Sequence, residues 1–325
     1  MKINEINSFL KEDLQKVEAL IEQSLQSDVA LLDGINKSLR EHPGKMLRSM
    51  LSLLVAGALG KVNESSLKYA AGTELLHNAT LLHDDVVDGA TLRRGRPTVS
   101  ALLNNQASIL IGDFWLVRCV QLVLQAHVEP EQVLRRFSAT LSDLAEGELR
   151  QMELSGLGTT TEADYLRIIY GKTASLFVTA AVSAAISVKA PEPLCEAARL
   201  FASHLGMAFQ IKDDIFDYAA DSTLGKPTGI DLREQKITQP LLCALESVPE
   251  PEARAVREKV ARIADHPEVE ADIRSFVKEH DGIGRATAVM HRYLRKALEA
   301  LEAFPASAQK DCLVVLTHYV GDRAL

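Results

Sequence analysis

Apolar residues spaced three and four apart recur from Ile6 to Leu325, while stretches of alternating polarity are scarce, so the chain is predicted to be all-α. No Gly/Ser-rich or Pro-rich linker breaks that periodicity and no low-complexity tract interrupts it, so residues 1–325 are expected to form a single domain. A hydrophobic share of 47% over 325 residues suffices for one large core.

Several helix limits can be read in chain order. A helix is expected to begin near Ser65 or Ser66 and to run through ELLHNATLL to an acidic cluster at Asp84. Residues 89–98, rich in Gly, Pro, Thr and charge, then read as a loop or short helix. Thr161 and Asp164 make a capping box that opens a helix through Tyr165, Ile168 and Ile169 towards Phe177. Pro191 and Pro193 end the following segment and start the next helix, from Leu194 to about Tyr218. Residues 221–240 repeat that composition, and both segments, loops or short helices, are placed over the mouth of a pocket.

The two long helices share one ending. Asp84, Asp85 and Asp88 in HDDVVDG, and Asp213, Asp214 and Asp217 in KDDIFDY, both read Asp-Asp-x-x-Asp after an apolar run. On a helix the first and last aspartates of each triplet share a face about one turn apart. Carboxylates near a core require compensation, and hard oxygen ligands completed by water and phosphate are what magnesium prefers. A single such triplet is common on solvated helix faces, and a structural salt-bridge network is the alternative for both. Two copies in one context favour metal. Cations follow each, Arg93, Arg94 and Arg96 after the first and Lys226, Arg233 and Lys236 after the second, so acid and base clusters together point to a metal-bridged polyphosphate.

With these motifs the chain resembles the trans-isoprenyl diphosphate synthases, and among them the long-chain polyprenyl diphosphate synthases. PGKMLR at 43–48, ELLHNATLLHDDVVDGATLRRGRPT at 74–98, GKTASLF at 171–177, FQIKDDIFDY at 209–218 and GKPTGIDLREQKITQP at 225–240 stand in the family's order. The resemblance implies a helical bundle of the isoprenoid synthase type with a deep central cavity. It also implies repeated head-to-tail condensation of isopentenyl diphosphate onto an allylic diphosphate, and a homodimer. The two triplets are expected to face each other and to hold three magnesium ions on the allylic diphosphate. Asp84, Asp88 and Asp213 are expected as direct ligands, while Asp85, Asp214 and Asp217 share ligation, water contacts and orientation. Lys45, Arg48, His77 and Arg94 match positions that grip isopentenyl diphosphate; Arg93, Lys172, Lys226 and Lys236 match those that reach the allylic diphosphate. Thr173 and Gln210 match residues near the reacting carbons, where oxygen atoms stabilise cationic charge. Alone, each of these cations would read as solvated and His77 as a core residue.

Two departures from the family pattern stand out. Pro43-Gly44-Lys45-Met46-Leu47-Arg48 lacks one glycine and the first arginine of Gly-Gly-Lys-Arg-x-Arg, which puts affinity for isopentenyl diphosphate in question. Lys236-Ile237-Thr238-Gln239-Pro240 has glutamine for leucine but keeps the cation. Product length is expected to depend on Ala79 and Thr80, one turn before Asp84, whose small size leaves the channel open past farnesyl diphosphate. Phe137 is the expected deeper floor, with ordinary core packing as the alternative, because it lies on nearly the same helix face as Glu148 and about 16 Å away along the helix. Octaprenyl diphosphate is the expected product, within a range from heptaprenyl to decaprenyl, with a geranylgeranyl synthase as the shorter alternative.

Composition removes other classes. A net charge of −8 spread over helix faces argues against nucleic acid. Cys119, Cys195, Cys243 and Cys312 lack metal-ligand spacing and read as reduced core or surface residues. The opening MKINEINSFLKEDLQ has no basic segment followed by an apolar one, and no eighteen apolar residues run uninterrupted, so a soluble, cytoplasmic protein without stable membrane insertion is expected. A terpene cyclase would not need the Lys45 and Arg48 site, and a regulatory subunit would not need both triplets.

Overall fold

The computed structural model describes residues 3–40, 44–93, 95–218 and 229–323. The all-α expectation holds: among the described residues the one ladder is a short antiparallel pair, Leu92–Arg93 with Arg96–Pro97. That pair replaces part of the loop or short helix expected at 89–98, and Gly95, at a φ of 76°, supplies the left-handed backbone of its turn.

Contacts divide the chain into two compact units, and the first comprises Met1–Ser138, Thr179–Arg199 and Ala303–Leu313. At its centre the helix Glu64–Val87 packs against Lys11–Ser24, Leu47–Leu59 and Asn105–Leu124. Its start is set by Asn63, whose side chain accepts from the Ser66 N–H at 3.1 Å while Ser66 Oγ accepts from the Asn63 N–H at 3.2 Å. The helix, expected to begin near Ser65 or Ser66, therefore starts slightly earlier, at Glu64. A Cβ on Gly72 would sit 3.2 Å from Val123 and 3.5 Å from the Phe137 ring, so the missing side chain brings those neighbours close to the helix.

The second unit comprises Ala139–Val178, Leu200–Glu302 and Val314–Leu325. Here the wholly buried helix Gln239–Leu245 packs against Gly282–Leu301, and a Cβ on Gly282 would fall 2.3 Å from the Pro240 carbonyl oxygen. Only glycine permits that approach. The Thr161 capping box forms as expected: the Asp164 N–H donates to Thr161 Oγ1 at 3.2 Å and the Thr161 N–H to Asp164 Oδ2 at 3.3 Å. The helix Glu162–Ile169 then passes through a π-helical turn, Tyr170–Ala174, into Ser175–Ser187. Glu192–Tyr218 is the long helix expected after the two prolines.

Two described helices, Asn105–Leu124 and the continuous run Glu162–Ser187, have the length and apolarity of membrane spans. Length and composition are shared by spans and core helices, and the apolar window of Glu162–Ser187 is 89% buried within the protein. The four cysteines are free thiols, and Cys119, Cys243 and Cys312 are buried.

Candidate active site

The first triplet closes the helix Glu64–Val87, with Asp88 as its C-cap. A helix C-terminus carries the negative end of the backbone dipole, so three carboxylates there reinforce a site for cations. The three are not equivalent. Asp84 is half-buried and Asp88 exposed, whereas Asp85 is 4% exposed and accepts a 2.6 Å bond from Arg93 Nε. The antiparallel pair returns Arg93 to the end of the helix it follows. A cavity of about 610 Å³ in this unit gathers Gly44, Met46, Asn78, Asp85, Arg93 and Arg96 along its wall.

Lys45 is exposed and Arg48 half-buried at the start of the helix Leu47–Leu59, whose amide N–H groups favour anions. Met46, where the family has arginine, takes left-handed backbone as the N-cap, with φ 47° and ψ 35°, and is buried. It serves as an apolar anchor between the two cations. His77 is half-buried, and its carbonyl accepts from Thr80 Oγ1 at 2.8 Å. Ala79 is fully buried; Phe137, 2% exposed, packs over Gly72, two turns before Ala79 on the same helix face.

The second unit assembles its groups around Asp214, which is 3% exposed. Tyr165 Oη donates to Asp214 Oδ2 at 2.6 Å, Gln210 Nε2 donates to Oδ1 at 2.8 Å, and Thr173 Oγ1 donates to Gln210 Oε1 at 2.6 Å. The π turn displays Lys172 beside Thr173. A Cβ on Gly171 would lie 2.5 Å from the Asp143 carbonyl oxygen, and one on Gly206 would lie 2.6 Å from Ala174 Cα, so close backbone packing holds this turn on two sides. Lys172 Nζ meets Glu148 Oε2 at 2.5 Å and also donates to Gln151. A small cavity of about 90 Å³ is lined by Gln151, Tyr165, Lys172, Gln210, Asp214 and Lys236.

Around that cavity the remaining aspartates differ again. Asp213 pairs with Arg323 Nη2 at 2.8 Å, a guanidinium that also stacks 3.9 Å from the Phe209 ring centroid. Asp217 accepts the backbone N–H groups of Ile230 at 3.0 Å and Asp231 at 3.2 Å. Burial raises the carboxyls of Asp214 and Asp231 above the ordinary range, and their mutual repulsion and that of Asp217 push the same way. Lys236 pairs with Glu234 beside them. Arg94 and Lys226 lie outside the described residues. Tyr165, Asp231 and Arg323 were not among the expected site residues; Tyr165 is indistinguishable in sequence from an apolar-face aromatic, and Arg323 is more than a hundred residues from Asp213.

Residues 29–279 match the family model described as polyprenyl synthetase.

The chain belongs to the polyprenyl synthetase family.

It is 36% identical to octaprenyl diphosphate synthase of Haemophilus influenzae, over 99% of this chain and 98% of that one. It is 39% identical to all-trans-nonaprenyl-diphosphate synthase (geranyl-diphosphate specific) of Rhodobacter capsulatus, over 96% and 95%. A solved polyprenyl synthase from Caulobacter crescentus, complexed with calcium and isoprenyl diphosphate, superposes with a TM-score of 0.90 at 32% identity, over 99% of this chain and 98% of that one. The chain is thus a prenyltransferase of the trans-isoprenyl diphosphate synthase type, long-chain class, with the all-α isoprenoid synthase fold.

The donor chemistry of this polyprenyl synthetase fits magnesium. Asp84, Asp88 and Asp213 offer oxygen ligands with solvent access, and the Asp213 side chain is 41% exposed even while paired with Arg323. Asp85 and Asp214 are committed to internal donors. Among the described residues no three His, Cys, Asp or Glu side chains are grouped to hold a metal ion by themselves; magnesium can be held through one or two carboxylates, with waters and substrate phosphates completing its shell.

Proposed function

We propose that this chain is a magnesium-dependent octaprenyl diphosphate synthase that adds isopentenyl diphosphate units head to tail to an allylic diphosphate. The carrying observation is the hydrogen-bonded set Thr173–Gln210–Asp214 beside Lys172, which puts neutral oxygen atoms and a diphosphate-binding cation on adjacent residues. The family model spans residues of both units, which supports one catalytic domain.

Asp84, Asp88 and Asp213 hold the metal, with Asp85, Asp214 and Asp217 orienting groups around it; three ions per site is the proposed complement. When bound, magnesium neutralises charge that develops on the leaving diphosphate. Arg93, Lys172, Lys226 and Lys236 bind the remaining oxygens of that group, and Lys45, Arg48, His77 and Arg94 hold isopentenyl diphosphate without metal. Thr173 and Gln210 face the allylic carbon as its bond to oxygen breaks. The double bond of isopentenyl diphosphate attacks that carbon, and the proton lost afterwards goes to the departing diphosphate. No side-chain nucleophile takes part.

Ala79 and Thr80 leave the path for the tail open, and Phe137 over Gly72 is the proposed floor. The chain acts in the cytoplasm as a homodimer, supplying a prenyl tail for a quinone. Purified protein given magnesium, isopentenyl diphosphate and farnesyl diphosphate is expected to yield octaprenyl diphosphate on product chromatography. A cyclised hydrocarbon, or no elongation, would refute the assignment.

A further inference from the structure

The hydrogen bonds around Asp214 run in one direction, and chemistry dictates which. An ionised carboxylate only accepts, so the Gln210 side chain must turn its NH₂ toward Asp214 and its carbonyl oxygen toward Thr173. Thr173 then donates its one hydroxyl proton to Gln210, and both lone pairs of its oxygen point elsewhere. The far end of this relay is Tyr165, 2% exposed, which donates to the second oxygen of Asp214. Burial, reinforced by the neighbouring Asp214 carboxylate, raises the Tyr165 phenol well above its ordinary range, so it remains a donor.

We propose that Tyr165 is a positioning residue for prenyl transfer: by donating to Asp214 it locks the direction of the relay, so that Thr173 presents lone pairs rather than a proton to the allylic carbon. This rests on the function proposed above. A proton facing a developing cation would oppose ionisation, whereas an oxygen lone pair stabilises it. Tyr165 acts through two intermediaries and touches no reacting atom.

The lock makes an unusual prediction for paired variants. In Asp214→Asn the Tyr165 hydroxyl still claims the side-chain oxygen, which leaves the Asn NH₂ facing the Gln210 NH₂. Gln210 must flip, Thr173 must accept from it, and the Thr173 proton is released toward the substrate. Adding Tyr165→Phe frees the Asn side chain to turn its oxygen to Gln210, which restores the original direction. The double variant should therefore be faster than Asp214→Asn alone.

Wild type, Tyr165→Phe, Asp214→Asn and the double variant are to be compared in turnover and in melting temperature. Asp214→Asn is expected to lose about a hundredfold in kcat, with KM for both substrates within about twofold because diphosphate contacts are untouched. The double variant is expected to recover at least about fivefold of that loss and to melt higher than the two single shifts added together. Losses that multiply in kcat overturn the proposal, as does coupling in melting without recovery of turnover; either result leaves the proposed function standing if wild type elongates. If wild type transfers no prenyl group, the proposed function falls. The melting cycle then still judges the relay: additive shifts overturn it and coupled shifts support it.

Discussion

The two aspartate triplets share a sequence pattern and a place at the end of a long helix, yet the fold treats their middle residues in opposite ways. Asp85 is neutralised by a cation from its own motif, Arg93 at 2.6 Å. Among the described residues Asp214 receives neutral donors, Tyr165 and Gln210, and sits near the carboxylates of Asp213, Asp217 and Asp231. At the first site the buried carboxylate has a full counter-charge in contact, and at the second burial raises the Asp214 pKa to about 6. One motif therefore serves two ends: Asp84, Asp88 and Asp213 keep solvent access, while Asp85 and Asp214 fix the groups beside them. The second triplet is also the electrostatically loaded one in the absence of metal.

The outer aspartates test the shared half of this comparison. Asp84→Ala and Asp213→Ala should each lower turnover by at least about a hundredfold if each removes an oxygen of the proposed metal site. That magnitude rests on the proposed metal site; both variants should fold, as circular dichroism can show. Near-normal turnover in both would break the pairing of the triplets.

Next come the substrate contacts, which should separate the units. Arg48→Ala, in the first, is expected to raise KM for isopentenyl diphosphate about ten- to hundredfold and to leave the allylic KM little changed. Lys236→Ala, in the second, should do the reverse. Equal shifts in both constants for both variants would refute separate diphosphate sites.

Product length should respond to the first unit alone. Ala79 is fully buried, so Ala79→Tyr forces a ring into close-packed surroundings about one turn before Asp84. Elongation should stop at farnesyl or geranylgeranyl diphosphate on chromatography. Phe137→Ala should lengthen the product. An Ala79→Tyr protein that still makes the wild-type chain would show that the tail takes another path.

The smallest effect concerns pH and isolates the second triplet. Asp214 and Asp231 have folded pKa values raised from 3.8 to about 6 and about 8, so the folded chain holds protons that the unfolded chain has released. Stability carried by those protons is complete below about pH 4 and is lost as pH rises toward 8. The metal-free melting temperature should accordingly fall between pH 5 and 8, and Asp231→Asn should flatten the part above pH 6. A curve that rises through that interval, or one Asp231→Asn leaves unchanged, would contradict the crowding of carboxylates around Asp214.

Much of this was legible beforehand because it depends on local chemistry. The helical class followed from periodicity, and the Thr161 capping box from two residues three apart. The helix expected to begin near Ser65 or Ser66 starts slightly earlier, at Glu64, because three neighbouring residues can all cap, and only the geometry of the side chain selects one. The π turn at Tyr170–Ala174 left no local signature; it is held by glycines 147, 171 and 206, whose neighbours come from other segments of the chain. The unequal standing of the three aspartates within each triplet was likewise hidden. It depends on Arg93, Tyr165 and Arg323, and the last two meet the second triplet only through long-range packing.

Metal stoichiometry is the most direct test of that inequality. Manganese binding, measured by electron paramagnetic resonance in the presence of a non-reactive allylic diphosphate analogue, can be counted in wild type and in four variants. Asp84→Asn and Asp213→Asn should each lose at least one ion per chain, while Asp85→Asn and Asp214→Asn should retain the wild-type number. Loss of ions from the middle-residue variants equal to that from the outer ones would contradict the division of labour within the triplets.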